Sequence, residues 1–415
     1  MLPRELEGWI EQAQALHREI PVFASYFEFY GYDSLFKEGG GVQCDLEKLD
    51  AAGIRTFGIA VANGGPAYFQ VGPDDFETAG PPEWALENLR CRFDEAMRDI
   101  RRCPRVRIVA TARDLQPGPP GGAIGLIPLI TCHSYMVTLD VIDEFFHKGL
   151  RISHPAGSTC TLWCRAVPGA RVHGRRAPVF NEYGRQVVAR MNELGIVIDL
   201  AHMTDESAIE IIKASHKPVI DGHTSSRDAV PYCRGHSDAV LRLIADSGGV
   251  AGIHFADHMY SLKVWGPKYE IRTDREKTPG REPRQWAYNR YLLATVKDPY
   301  ERARLRKNRA AQEKFYREHD LPPDPQPPRA EDRIATLADM ADHIEHMINV
   351  MGVEHVGLGG DVNGITPHSW PLGMDHVGEL PHLTAELLRR GHTEGELRKF
   401  LCDNWRRVFA ECLPP

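Results

Sequence analysis

The sequence lacks an apolar run of about 18 residues or more, a basic stripe, and a cysteine spacing typical of a disulfide framework. A membrane-spanning helix needs about 20 consecutive apolar residues, so we predict no membrane partner. The first 20 residues are charged and follow a helical pattern, without the apolar region of a secretory signal. The nine cysteines are scattered, as expected for reduced thiols. Together these absences predict a cytoplasmic protein.

The charge balance and the length narrow the possibilities further. A net charge of −7 gives no reason to expect a nucleic-acid partner. A chain of 415 residues with 42% hydrophobic residues is within the range of a single (β/α)8 TIM barrel with insertions. We therefore expect one barrel domain over residues 1–415.

Two short apolar runs, Ile196–Leu200 and Pro218–Ile220, are each followed within a few residues by a histidine. Both runs are too short for helices and are typical of buried strands in a parallel sheet. The segment between them, Asp205–Ser215, has an amphipathic helical pattern. This repeat places His202 and His223 after successive strands, at the end of a barrel where active sites form.

A carboxylate occupies a similar position elsewhere in the chain. Asp361 ends the strand-like run HVGLGGD at 355–361. A histidine in such a position often only caps a strand or bonds within the core, but two histidines and an aspartate together match the ligands of a divalent metal such as zinc. We expect His202, His223 and Asp361 to face one another at the ends of barrel strands five, six and eight.

Helical periodicity predicts further helices around the barrel, over Pro178–Leu194, Asp238–Asp246 and Thr336–Met351. We expect His343 and His346 of the last helix to lie at the surface.

Several segments resemble the membrane (renal) dipeptidases, metal-dependent members of the amidohydrolase superfamily. They are GIVIDLAHMTDES, KPVIDGHTSSRDAV, CRGHSDAVLRLIADSGGVAGIHF, ATLADMADHIEHMINVMGVEHVGLGGDVNGI and TEGELRKFLCDNWRRVF. The resemblance covers roughly residues 20–260 and 333–410. It implies a TIM barrel, a two-metal site that hydrolyses dipeptides, and Asp361 as the carboxylate that handles the proton of the attacking water.

The same resemblance shows where this chain departs from the family at its metal ligands. The His-x-Asp pair of the first strand aligns with Tyr26 and Glu28, and the Glu that bridges both metals aligns with Ile130. A neutral phenol is a poor ligand, because its pKa is near 10, and isoleucine cannot bind a metal. The resemblance thus implies a metal site on His202 and His223, completed by Asp361 or Glu28. We expect at most one zinc ion per chain.

Substrate contacts follow from the same alignment. The family arginine that pairs with the substrate carboxylate aligns with Arg234, a role suited to a guanidinium fork, although a surface salt bridge is the plainer alternative. The family histidine after the bridging Glu aligns with His133. A third histidine, which polarises the substrate carbonyl, aligns with Gly157, so His154 either replaces it or is a solvated loop residue. Tyr26 is expected to contact substrate.

The match lapses at residues 259–332, a long, charged segment with a Pro-rich end. Long insertions in compact folds are often functional, so we expect a helical lid or dimer arm before strand eight, with a peripheral helix as the alternative.

Three functions remain open on the sequence alone. The first is a divergent dipeptidase-like hydrolase that cleaves an amide bond next to a free carboxylate in a small peptide-like substrate. The second is an enzyme of the same fold that modifies a peptide-like or amino-acid-derived intermediate without dipeptide hydrolysis. The third is a non-catalytic binding protein. A homo-oligomer, such as a homodimer, is expected for each.

Overall fold

The computed structural model describes residues 3–28, 43–63, 83–118, 121–131, 138–157, 161, 163–166, 178–232, 234–264, 335–365 and 369–415. Within these residues the strands are β1 (Val22–Glu28), β2 (Ile54–Asn63), β3 (Val106–Ile108), β4 (Ile124–Thr131), β5 (Ile152–Ser153), β6 (Val197–Ile198), β7 (Ile220–Thr224), β8 (Val250–His254) and β9 (Val356–Val362). The α-helices are α1 (Ile10–Glu19), α2 (Leu46–Ala51), α3 (Glu83–Arg102), α4 (Leu139–Lys148), α5 (Glu182–Leu194), α6 (Asp205–Ala214), α7 (Asp238–Asp246), α8 (Asp257–Tyr260), α9 (Leu337–Met351), α10 (Leu380–Arg389), α11 (Glu394–Arg398) and α12 (Asn404–Cys412).

Eight parallel strands form a nearly closed barrel, with helices between them, so the predicted (β/α)8 fold is confirmed. The strands are paired in the order β6-β5-β4-β2-β1-β9-β8-β7. The two ends of this order meet at one parallel bridge between Asp199 and Ile220, where the Leu200 amide donates to the Ile220 carbonyl at 2.7 Å. This closure brings the carboxyl ends of all eight strands to one rim.

The structure corrects the assignment of two strands. The apolar run at 106–110 has the pattern of a strand, and the sequence predicts it as barrel strand three. However, β2 pairs directly with β4 through Thr56 and Gly125, so β3 does not separate them. β3 instead pairs with the first half of β4, at Val106 and Ile124. The barrel strand that follows β4 is β5, which was expected to be part of a loop. The strand numbers of His202, His223 and Asp361 are unchanged, because β5 replaces β3 in the count.

Two apolar layers hold the barrel together. Alternate side chains of the strands, among them Ile127, Leu129 and Val250, form one cluster inside the barrel. Trp405 and Phe409 of α12 join this cluster and pack against Phe23 at the start of β1, with ring centroids 6.4 and 5.0 Å from it. A larger cluster fills the space between strands and helices. Burial on this scale stabilises the rim on which the polar side chains lie.

The predicted helix after His202 is confirmed as α6, and its N-cap Thr204 accepts a hydrogen bond from the Ser207 amide at 3.3 Å. No helix of the described residues is both long and apolar enough to cross a bilayer. Of the predicted insertion at 259–332, only residues 259–264 belong to the described part of the chain. The lid or dimer arm stays a prediction.

Candidate functional site

A cluster of polar side chains lies at the carboxyl ends of the barrel strands. Each member is carried by the end of a strand or by the first residues after it, as in other enzymes of this fold. The members are Tyr26 and Glu28 on β1, His154 after β5, Asp199 and His202 after β6, Asp221 and His223 on β7, His254 on β8, and Asp361 on β9.

His223 is the centre of this cluster. Its ring centroid is 5.5 Å from those of His154, His202 and His254, and 3.8 Å from that of Tyr26. Burial, followed by the positive charge of Arg234, holds the pKa of His223 and of His202 well below the usual range. Both rings are therefore neutral at pH 7, with lone pairs free for an electrophile.

Asp199 fixes the ring of His154. His154 Nε2 lies 2.9 Å from Asp199 Oδ2, and both side chains are fully buried. The other carboxylate oxygen, Oδ1, accepts backbone hydrogen bonds from Ala201 at 3.0 Å and Gly222 at 2.8 Å. A Cβ atom at Gly222 would collide with Asp199 Oδ2, so only glycine allows this approach. His154 thus points its second nitrogen, Nδ1, away from Asp199, and that atom has no hydrogen-bond partner among the described residues.

Tyr26 and Glu28 form a second buried pair. The Tyr26 hydroxyl donates a hydrogen bond to Glu28 Oε1. Register shifts in β1 between Ala24 and Phe27 mark a β-bulge, which turns Tyr26 toward the barrel interior. Burial raises the pKa of Glu28 and the nearby charge of Asp361 raises it further, to about 8, while the Tyr26 hydrogen bond opposes both. Glu28 is consequently protonated at pH 7.

Asp361 lies close to both Glu28 and His254. Its Oδ2 atom lies 3.2 Å from Nε2 of His254, whose side chain is 5% exposed. Asp361 and His202 both have a positive φ, 68° and 71°, a conformation that is rare outside glycine. Backbone strain of this kind is concentrated at functional sites, which supports a functional role for both residues.

Arg234 borders the cluster from the loop after β7. Its NH2 atom donates to the His223 carbonyl at 3.0 Å, and its buried NH1 atom has no hydrogen-bond partner within the described part of the chain. His236 lies behind it, with Nδ1 3.0 Å from Asp205 and Nε2 3.2 Å from Asp221. Burial acts to lower the pKa of His236, but the two carboxylates outweigh it and raise the pKa to about 9. The NH1 group of Arg234 can still donate a hydrogen bond to a ligand. The groups around it, His236, Asp205 and Asp221, are ionised at pH 7.

The residues present do not fit a two-metal centre with a bridging carboxylate. Ile130 packs in the outer apolar cluster and not in the barrel interior. Its neighbour Thr131 faces inward, because side chains alternate along a strand and Ile127 and Leu129 of β4 also face inward. The buried hydroxyl of Thr131 has no hydrogen-bond partner among the described residues. No residue at the end of β4 thus supplies a carboxylate, and Tyr26 replaces the first-strand histidine.

One cation fits better. Among the described residues, two groups of three side chains have ligand atoms within 4.8 Å of one another, His154–Asp199–His223 and His223–His254–Asp361. Nδ1 of His154 and Nδ1 of His223 are buried and without partners. Imidazole nitrogens and carboxylates suit zinc.

The structure brings together most of the residues predicted from the sequence. His223 and Asp361 share a group of possible ligands, whereas His202 and Glu28 belong to neither group, so their metal roles stay predictions. His154 is fully buried and ends a strand, so the expectation of a solvated loop residue is wrong. His133 lies outside the described residues.

Three members of the cluster, Asp199, Asp221 and His254, were missed. His254 ends a strand in the same way as His223, and Asp199 ends the run before His202. These positions at the ends of strand-like runs are sufficient to predict His254 and Asp199 as site residues from the sequence.

Comparison with known proteins agrees with this geometry. The family model of the membrane dipeptidases, peptidase family M19, matches residues 10–413. Dipeptidase 3 of Rattus norvegicus is 24% identical over 287 residues, which is 69% of this chain and 44% of that protein. The match thus spans less than half of that relative's length.

Two solved structures share the fold. A probable dipeptidase, PvdM from Pseudomonas aeruginosa, has a TM-score of 0.73 at 20% identity, with 99% of each chain covered. A metallopeptidase from Rhodobacter sphaeroides, liganded with a phosphinate mimic of the dipeptide L-Ala-D-Ala, has a TM-score of 0.65 at 20% identity and covers 95% of this chain and 99% of its own. Since the family match extends over nearly the whole chain, this protein belongs to the membrane dipeptidase family, peptidase family M19.

Proposed function

We propose that this protein is a dipeptidase-like hydrolase that cleaves an amide bond next to a free carboxylate in a small peptide-like substrate. The observation that carries the proposal is the placement of Arg234 beside His223. A buried guanidinium with one unpartnered nitrogen lies next to the central histidine of the cluster. An arginine fork of this kind binds a carboxylate, so a substrate anchored there has its amide bond near His223 and Asp361.

Within this proposal Asp361 is the general base, because it is the carboxylate nearest the ring of His254 and only partly buried. His154 contacts the substrate through Nδ1, whose lone pair can accept a hydrogen bond from a substrate amide N–H. Tyr26 and His133 contact the substrate. A carboxylate within hydrogen-bond reach of the attacking water is a suitable base for this reaction.

A single divalent ion, with zinc as the expected metal, is the proposed cofactor. His202 and His223 would hold it, with Asp361 or Glu28 completing the site. Bound there, the ion would act as a Lewis acid on a substrate oxygen. The two unpartnered ring nitrogens of His154 and His223 support a cation in this part of the pocket.

The direct test is hydrolysis of a panel of dipeptides by the purified protein, compared with the same peptides amidated at the carboxyl terminus. The proposal expects cleavage of the free acids, loss of cleavage on amidation, and loss in Asp361→Asn. Equal rates on free and amidated peptides would contradict it. We expect ordinary dipeptides to be poor substrates, since the bridging carboxylate is replaced.

A specific observation favours a second candidate, an enzyme that modifies a peptide-like or amino-acid-derived intermediate without hydrolysing dipeptides. Tyr26 packs flat on His223 and bonds the protonated Glu28, which supplies two weak acids where the family has metal ligands. Turnover of an amino-acid-derived compound without release of two amino acids would distinguish this candidate from the first.

We also propose that the protein is cytoplasmic and homo-oligomeric. The nine cysteines are scattered along the chain, as expected for reduced thiols in a reducing compartment. Sedimentation equilibrium of the purified chain tests the oligomeric state.

A further inference from the structure

We propose that His254 is a positioning residue that holds Asp361 and is not a metal ligand. This inference rests on the proposed function in one respect, the role of Asp361 as general base. His254 ends β8 and is 4% exposed. Its two ring nitrogens face different partners, the Ala256 amide at Nδ1 and the Asp361 carboxylate at Nε2.

The tautomer of His254 follows from the first of these contacts. The Ala256 backbone amide lies 3.0 Å from Nδ1 and can only donate a hydrogen bond. Nδ1 must therefore carry a lone pair, and the single proton of the neutral ring lies on Nε2. Asp361 Oδ2 lies 3.2 Å from Nε2. His254 thus presents a protonated nitrogen, with no lone pair, at the atom that contacts the carboxylate.

A metal on the group His223–His254–Asp361 would need the opposite tautomer. A histidine that binds a metal through Nε2 usually donates the proton of Nδ1 to an acceptor, which fixes its ring. In His254 the Nδ1 atom accepts instead, so Nε2 has no lone pair to offer. Rotating the ring by 180° would place carbon atoms against both Ala256 and Asp361 and would lose both contacts. The proximity of these three side chains is consequently not a metal site.

His154, on the other side of His223, shows the contrast. It too has Nε2 beside a carboxylate, at 2.9 Å from Asp199 Oδ2. Its Nδ1 atom is buried without a partner, so a lone pair remains for a cation or a substrate. The two His–Asp pairs that flank His223 are therefore not equivalent. The pair with Asp199 leaves a ring nitrogen free, and the pair with Asp361 leaves none.

The consequence for Asp361 is a fixed carboxylate. Oδ2 contacts the ring of His254, and Oδ1 lies against Gly364, where an added Cβ atom would be 2.0 Å from it. Asp361 has a positive φ of 68°, so its backbone does not favour this placement unaided. The buried ring, which is itself bonded to the Ala256 amide, restricts the carboxylate through the close contact between Nε2 and Oδ2.

Two matched variants separate positioning from metal binding. In His254→Gln the amide nitrogen can reach the position of Nε2 and still donate to Asp361. In His254→Asn the shorter amide can still accept from the Ala256 amide but no longer reaches Asp361. We expect both variants, loaded with zinc and dialysed, to keep the wild-type metal content. We expect kcat to fall roughly 10- to 100-fold in the Asn variant and only a few-fold in the Gln variant, with KM unchanged, since one hydrogen bond to a charged group is lost.

The tautomer itself is measured on the unaltered protein by nitrogen NMR with ¹⁵N-labelled histidine. The ring of His254, assigned by its absence in the Asn variant, should show a protonated Nε2 and an unprotonated Nδ1, and zinc should not remove the Nε2 proton. Loss of zinc from both variants, or a protonated Nδ1, would overturn the proposal. Equal kcat in both variants would reduce His254 to a structural residue. If the wild type hydrolyses no amide, the proposed function fails, while the NMR signals and metal content still decide the tautomer.

Discussion

The ring of Tyr26 lies flat against the ring of His223, with centroids 3.8 Å apart and planes inclined by 11°. The position that the sequence aligns with a metal-binding histidine is therefore filled by an aromatic ring that covers one face of the central histidine. The same tyrosine donates a hydrogen bond to Glu28, the second residue of the altered pair. The two departures from the family pattern thus form one structural unit.

We predict that Tyr26→Phe changes the pKa of Glu28. The variant keeps the stacked ring but removes the one hydrogen bond that lowers the pKa of Glu28, so that pKa should rise above its value of about 8. NMR titration of ¹³C-labelled glutamate in the metal-free protein measures it. The free energy of unfolding should fall by about 1–3 kcal/mol, because a buried acceptor loses its donor. A pKa of Glu28 that stays the same or falls in Tyr26→Phe would show that the pair is not coupled.

Arg234→Ala should weaken binding of a ligand with a free carboxylate by about 1.5–3 kcal/mol, the usual effect of removing a charged hydrogen-bond partner. Arg234→Lys should restore only part of this, since an ammonium cannot form the paired contacts of a guanidinium. Isothermal titration calorimetry with free and amidated forms of one peptide measures both. Arg242→Ala, an exposed residue on α7, serves as the control. Unchanged affinity in both Arg234 variants would refute the anchor role.

Asp199→Asn should reverse the tautomer of His154. The amide oxygen can still accept from Ala201 and Gly222, which leaves an N–H group facing Nε2 of His154. Nε2 must then accept, and the ring proton moves to Nδ1, which faces the pocket. We expect kcat to fall by about 10²-fold or more with little change in the melting temperature, as in other sites where a carboxylate orients a histidine. A variant with wild-type kcat would remove His154 from the reaction.

We predict that the protein loses stability at alkaline pH, because His236 loses its proton there. Its pKa of about 9 in the folded chain exceeds the unfolded value near 6.5, so its stabilising contribution is complete below pH 6.5 and disappears as the pH rises through 9. At about 1.4 kcal/mol for each unit of pKa shift, the contribution is roughly 3 kcal/mol. Urea unfolding of the wild type and His236→Gln at pH 6 and pH 10 tests this. The two proteins should differ most at pH 6, and a difference independent of pH would be inconsistent with a buried imidazolium.

The sequence predicted the barrel and its rim because both depend on local patterns. Short strand-like runs that lead to His223 and Asp361 identify strands and their carboxyl ends without any knowledge of packing. The same logic failed at β5, because a strand of two residues, Ile152–Ser153, has no periodicity to detect. His154 was therefore interpreted as a loop residue, although it ends a strand.

Side-chain environments were harder to predict. His343 was expected at the surface, yet it is 3% exposed and accepts a hydrogen bond from the Ser226 amide at 2.9 Å. That expectation is wrong because His343 lies one turn from Met340 and Met347 on the buried face of α9. Whether a polar residue on an apolar helix face is buried depends on a hydrogen-bond partner. For His343 this partner is Ser226, which is distant in sequence. The tautomers of His154 and His254 likewise depend on contacts across the barrel.

We predict that the pocket binds at most one metal ion tightly. The paired metals of such sites lie about 3.5–4 Å apart, and their repulsion requires a shared anion that neither Ile130 nor Thr131 can supply. The most direct test is elemental analysis of the purified protein after loading with excess zinc and exhaustive dialysis, with Tyr26→His and Ile130→Glu measured alongside. We expect no more than one zinc ion per chain in the wild type, and two zinc ions per chain would contradict this prediction.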